Sequence, residues 1–272
     1  MQSTLFWRYF NRCAAWMVLV FLMAPILVII PLSFNGGSFL SYPLDGWSLR
    51  WYQQVFNSPQ WLFALKNSLT IGVASMGLAT VLGTLAALGL NLADFRMKPL
   101  LMAVLLSPMI VPTVITAVGI YFLFSTLGLA STYIGMVLAH TALATPFVLI
   151  AVNATLQGLD RGLLRAAASL GAGPIRTFYR ITLPLILPGV ASGAVFAFAT
   201  SFDEVVVSLL LAGPDQRTLP REMFSGVREN LSPSITAVAF LLTLLSTLFL
   251  LTLGWLQRYA SRMAGKSATS GT

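Results

Sequence analysis

Two neighbouring carboxylates, Asp203 and Glu204, interrupt an apolar run that extends from Leu187 to Leu211. An isolated charge inside a membrane span costs about 2.5–3.5 kcal/mol on insertion scales. Such a pair therefore calls for a water-filled path or a cationic partner, or else pairs with basic residues and reaches toward the interface. The only histidine, His140, lies within a second apolar run. An ionisable group at membrane depth is a candidate for substrate contact, but no acidic or cysteine neighbour stands close to it in sequence. Its plainer role is that of a hydrogen-bonding residue inside a helix bundle. Catalytic patterns are missing: there is no HExxH, no GxSxG and no paired acid and base. Gly265-Lys266-Ser267 imitates the end of a phosphate loop, yet Ala260 stands where that loop needs glycine. No catalytic residue and no metal site is expected, and the chain is not expected to be an enzyme. The single cysteine, Cys13, excludes an internal disulfide or a cysteine metal cluster. A spectator thiol is its plainer role, and lipidation the alternative.

The elements that must position these groups follow from composition. Of 272 residues, 57% are hydrophobic and 9% charged, against about 25% charged in a soluble domain. Six apolar runs are long enough to cross a bilayer, at about 14–34, 68–92, 99–127, 132–156, 187–211 and 234–257. The third carries Pro108 and Pro112 and is expected to tilt or kink. The short, uncharged link between the third and fourth makes them antiparallel neighbours. The first run is too long for a signal-peptide core and lacks a small-x-small cleavage site, so it reads as an uncleaved span. Net charge is +8, but the basic residues are scattered in short loops, which argues against nucleic acid and for a bias toward one membrane face. With the N-terminus inside, the inner segments hold eleven cations: Arg8, Arg12, Arg96, Lys98, Arg161, Arg165, Arg176, Arg180, Arg258, Arg262 and Lys266. The outer segments hold five, Arg50, Lys66, Arg217, Arg221 and Arg228, which places both termini in the cytoplasm. Gly72, Gly77, Gly83 and Gly89, and then Gly189, Gly193 and Ala197, are spaced for close helix contact, within the chain in the simpler case or between subunits in the sharper one. The tail after Arg262 reads as disordered.

Between the fourth and fifth runs, residues 157–186 hold four arginines and a Gly-Ala-Gly-Pro break. Asp160 can cap a short helix with Leu163, Leu164, Ala167 and Leu170 on its apolar side, and Gly171 can end it. Gly173-Pro174 starts a second short helix, with proline at the first helical position. Pro184 and Pro188 are then expected to bend the chain into the fifth span. Arginines of this kind suit acidic lipid headgroups. The smooth Ala-Ala-Ala-Ser-Leu-Gly-Ala face suits a protein groove better.

Ala166-Ala167, Leu170-Gly171-Ala172, Phe178, Ile181, Leu183-Pro184 and Pro188-Gly189 resemble the "EAA" loop of ABC importer permeases. The match covers about 25 residues at fixed spacing, followed by a span. The resemblance implies an all-α integral membrane protein of the type I ABC importer permease fold, a single permease domain over 1–272 with about six transmembrane helices and a cytoplasmic coupling helix. It also implies that Arg165, Ala166, Ala167, Leu170, Gly171, Ala172, Phe178 and Pro184 couple the chain to an ATP-binding subunit. Arg165 departs from the family, which has glutamate there, so the contact made by that acid is absent or replaced.

Ser201-Phe-Asp-Glu-Val-Val-Val-Ser208, followed by Gly213-Pro214 and Leu219-Pro220, resembles the permeases of spermidine/putrescine-type importers. With the loop, this resemblance covers the last four spans. It implies a polyamine cargo, for which carboxylates along the path make electrostatic sense. Asp203, Glu204, Glu222 and Tyr121 are the candidate path residues, and Glu229, Trp47, Trp51 and Tyr52 are further candidates for holding amines. Arg221 and Arg228 weaken the case for the two outer glutamates, and interface anchoring is the commoner role of Trp and Tyr. The implied partners are two ATP-binding subunits, a second homologous permease, an extracytoplasmic substrate-binding protein and the bilayer of a bacterial inner membrane. No cofactor is implied for this chain, with ATP and magnesium on the ATP-binding subunits. Related permeases carry ferric iron, sulfate, thiamine, phosphonates or opines on one scaffold; the acidic pair favours a cation, iron included. An ion-coupled secondary transporter is the remaining alternative.

Overall fold

The computed structural model describes residues 2–92, 95–229 and 232–248, with positions 251 and 254. These residues fold almost wholly into helices, with one isolated bridge between Asn35 and Trp47. In chain order the helices are α1 (Gln2–Ser33), α2 (Arg50–Asn57), α3 (Pro59–Leu92), α4 (Lys98–Ile110), α5 (Thr113–Thr126), α6 (Tyr133–Gln157), α7 (Arg161–Ser169), α8 (Pro174–Thr177), α9 (Leu183–Phe202), α10 (Val206–Leu211) and α11 (Leu219–Glu229). The apolar helix Pro233–Leu248 is α12. The stretch 249–257 of the expected sixth span, apart from positions 251 and 254, lies outside the described residues. So do Arg258, Arg262, Lys266 and the side chain of Glu229.

Among the described residues, four helices are long and apolar enough to cross a bilayer: Trp7–Ser33, Pro59–Asn91, Tyr133–Gln157 and Pro174–Phe202. The expected third span is a broken pair, α4 and α5, bent by 104°. Pro112 causes the break. It has no N–H to continue a helix, and it drives Val111 to an extended ψ of 133°.

Pro184 and Pro188, where bends were expected, both lie within one continuous helical stretch, in which α8 runs into α9 through a π-helical turn, Phe178–Thr182. Pro184 cannot donate to the carbonyl of Arg180. The wide turn absorbs that defect by moving the ladder one residue, so that the Leu183 N–H reaches the Phe178 carbonyl. The fifth span also begins earlier than expected and stops at Phe202, before the acidic pair.

The chain divides into two compact units, Met1–Leu62 with Met223–Leu248 and Phe63–Glu222 with Phe249–Thr272. In the first, the start of the α1–α2 loop is held by Asn35, whose carbonyl accepts from the Trp51 indole at 2.8 Å and whose side-chain oxygen accepts from Gly37 and Asp45. The Phe34 ring packs against Tyr52 and Phe240.

The second unit is built on α3, α6 and α9, whose buried residues include Ala79, Ala87, Ala144, Val148, Val152, Ile186 and Ala197. Small residues set the spacing. A Cβ on Gly83 would lie 2.6 Å from that of Val148, and one on Gly193 would lie 2.9 Å from the Val148 Cα. One valine of α6 thus fills the space between glycines of two neighbouring helices, the close approach expected from the glycine spacing. Gly77 and Gly89 face open space. Gly193→Leu is therefore expected to destabilise the unit by about 1–3 kcal/mol, because the obstacle is backbone and cannot move aside. A lowered unfolding midpoint of the purified permease, with Gly77→Ala near wild type, checks this.

Candidate functional site: a broken span and a helical loop

Helix α9 ends at Phe202, and Asp203 leaves it with φ −93° and ψ −2°. Three residues later the chain turns helical again as α10. The two acids of this break have different surroundings. One Glu204 carboxylate oxygen accepts from the N–H groups of Val206 at 2.7 Å and Val207 at 3.0 Å. Glu204 therefore satisfies the open N–H groups of α10, where a negative charge also complements the helix dipole. Asp203 is exposed, and its carboxylate has no hydrogen-bond or ion-pair partner among the described residues. It stands at the C-terminal end of α9, where the dipole adds further negative potential. The arrangement can hold a cation.

Behind the break lies His140, 1% exposed on α6. Its Nδ1 is 2.8 Å from the Ser201 hydroxyl on α9, and its Nε2 is 3.4 Å from the Ser208 hydroxyl on α10. The expected bundle hydrogen-bonding role is thus what the histidine performs. Its partners are 61 and 68 residues away along the chain, so sequence alone did not reveal them. The one available signal was that Ser201 and Ser208 flank the acidic pair within an apolar run.

Beyond α10, residues 212–222 are tied to the start of α3 and to α6. The Asn67 side chain donates to the carbonyls of Asp215 and Arg217, each at 2.9 Å. The Tyr133 hydroxyl lies 2.7 Å from the Asp215 carbonyl, and Leu219 donates to the Ser68 hydroxyl at 2.8 Å. Arg221 donates to the carbonyls of Ala212 and Gly213 at 2.6 and 3.1 Å. Burial, and then the nearby Arg217, pull its guanidinium below the usual arginine value, and Glu222 opposes them. Glu222 is buried and meets Arg217 at 3.6 Å, so its charge is matched inside this segment. Tyr121 lies exposed on α5 with its ring edge-on to Phe122. The structure thus joins Glu204 to His140 through Ser208, and sets Glu222 in a separate ion pair.

The α7–α8 loop is a helix, a tight reversal and a second helix. The Asp160 side chain accepts from the Gly162 N–H at 2.7 Å, which caps α7. At the other end, Gly171 donates to Ala168 and Ala172 donates to Ala167, both at 3.0 Å, with Gly171 at φ +76°. This paired bonding is the glycine-dependent helix stop expected from the sequence. Ala167 is buried, while Ala166, Gly171 and Pro184 are exposed and Ala172 is half-buried. Leu170, at 87% exposed, and Ile175, at 74%, have no cover among the described residues, and Arg165, Arg176 and Arg180 of the same loop are exposed as well. Phe178 faces the other way and packs on the α3–α6–α9 core. The loop thus has an uncovered apolar and basic side and an aromatic root in the bundle.

Long apolar helices, one of them ending beside an acidic pair, and a loop rooted in the bundle fit a membrane permease. The chain belongs to the family of binding-protein-dependent transport system inner membrane components, whose model matches residues 79–264. Among its relatives is the spermidine/putrescine transport system permease protein PotC of Escherichia coli strain K12, 33% identical over 254 residues that cover 93% of each chain. The putrescine transport system permease protein PotI of the same strain is 36% identical over 229 residues, 82% of this chain and 81% of PotI. Both relatives are permease proteins of transport systems. A membrane chain of a bacterial ABC transporter for the acidic polysaccharide alginate superposes with a TM-score of 0.72 at 13% identity, covering 95% of this chain and 98% of that one. That likeness confirms the type I permease fold.

Proposed function

We propose that this chain is the permease of an ATP-driven polyamine importer, with both termini in the cytoplasm. The observation that carries the reading is Asp203, an exposed carboxylate at the negative end of α9 with no partner among the described residues. The names of PotC and PotI supply the substrate class, and a protonated amine supplies the matching charge. The shared fold does not choose the cargo, since a chain of the same architecture serves an acidic polysaccharide.

The mechanism follows from rigid connections. ATP-binding subunits, which hold ATP and magnesium, grip the uncovered side of the loop at Leu170 and Ile175, and Arg165 meets an acidic residue of that partner. Closure on ATP moves α7 and α8. Phe178 and the π-helical turn carry the motion into α9, and α9 ends at Asp203. A second homologous permease completes the path, and an extracytoplasmic binding protein delivers the amine.

In cells making the whole transporter, putrescine uptake is expected to be competed by spermidine and unaffected by ferric iron. It is also expected to collapse when ATP is depleted at a constant proton gradient. Uptake that survives ATP loss rules out the ATP-driven reading. Uptake blocked by ferric iron and not by spermidine rules out the cargo.

A further inference from the structure

The hydrogen bonds around His140 form a chain across the break. The Ser208 hydroxyl donates to the Glu204 carbonyl at 3.0 Å, which commits its one hydrogen. Nε2 lies 3.4 Å from its oxygen, and Nδ1 faces both the Ser201 hydroxyl at 2.8 Å and the Ser201 carbonyl at 3.1 Å. The ring therefore meets α9 on one side and α10 on the other in either tautomer. The chain therefore runs from Ser201 on α9 through His140 on α6 and Ser208 on α10 to the backbone of Glu204. Glu204 in turn holds the first N–H groups of α10. Ser201, His140 and Ser208 are each at most 5% exposed, so water does not substitute for any link.

Asp203 lies between the two helices that this chain ties together, one residue from Glu204 and two from Ser201. With no side-chain partner of its own among the described residues, its carboxylate is placed solely by the backbone of the break. We propose that His140 is the positioning residue of the translocation site: it spans the break and sets where the Asp203 carboxylate stands. This rests on the reading of Asp203 as the cation-holding group.

The complete transporter, reconstituted in proteoliposomes with saturating putrescine-loaded binding protein, provides the test through the ratio of putrescine moved to ATP hydrolysed. A general loss of folded complex lowers both rates together and leaves this ratio unchanged. His140→Phe keeps the ring volume and removes both polar ends, and is expected to lower the ratio about tenfold. His140→Gln, which again offers one acceptor and one donor, is expected to restore most of it. Combined with Asp203→Asn, His140→Phe should add no further loss, since it acts through that carboxylate. A wild-type ratio in His140→Phe, or losses that multiply in the double variant, overturns the proposal and leaves the role of Asp203 intact. An Asp203→Asn transporter with a wild-type ratio overturns both. If His140→Phe fails to assemble, Ser208→Ala removes one hydroxyl of the same chain. A lowered ratio there supports the proposal, and an unchanged one overturns it.

Discussion

Asp203→Asn is expected to lower putrescine uptake about tenfold to hundredfold, while the assembled complex stays at wild-type abundance in the membrane. A hydrogen bond to a charged group contributes about 1.5–3 kcal/mol, and about 1.4 kcal/mol is a factor of ten. Asparagine keeps the size and one acceptor oxygen but loses the charge. The change costs the protein little, because the carboxylate has no partner to abandon among the described residues. Glu204→Gln provides the contrast. That side chain retains an oxygen for the Val206 and Val207 N–H groups, so its effect on uptake should be smaller. Measured initial rates of labelled putrescine uptake decide the matter. Equal losses in the two variants would mean that both carboxylates serve the path, and no loss in either would remove the break from the path.

Gly171→Val is expected to uncouple the transporter, with ATP hydrolysis continuing and uptake falling about tenfold. The reason is backbone strain and not crowding: Gly171 sits at φ +76°, and a Cβ there would meet nothing within 4 Å. An L-residue in that region costs about 1–2 kcal/mol, more for a branched side chain. The chain relieves this by opening the reversal, which releases the bonds from Gly171 to Ala168 and from Ala172 to Ala167. The α7 helix then no longer moves as one piece with α8. Gly171→Asn isolates the cause, because asparagine tolerates the left-handed region and should retain most uptake. Uptake and ATP hydrolysis in the same proteoliposomes check the pair. Two equally impaired variants would point to a need for glycine's small size at the docking face, and two unimpaired ones would remove the reversal from coupling.

The family comparison bears on these expectations in a limited way. PotC and PotI share about a third of their residues with this chain, which secures membership and architecture. Where a cation rests, and which segment carries the motor's stroke, depend on the geometry of a few groups. The two substitutions interrogate those groups directly.

The amino-acid sequence by itself determined the apolar helices, the loop between α6 and α9, its cap at Asp160 and its stop at Gly171. Each of these depends on residues within a few positions of one another, so local periodicity and backbone preference suffice. Only the tertiary structure decided that Glu204 caps a helix while Asp203 has no partner among the described residues, although the two are adjacent and chemically alike. It likewise decided that His140 reaches serines 61 and 68 residues away, that Ala167 is buried while Leu170 is exposed, and that a π-helical turn accommodates Pro184. Hydropathy measures only how much a segment prefers lipid or core. Which polar group finds a partner is set by helices that meet after folding, and the group left without one is the candidate to hold the cargo.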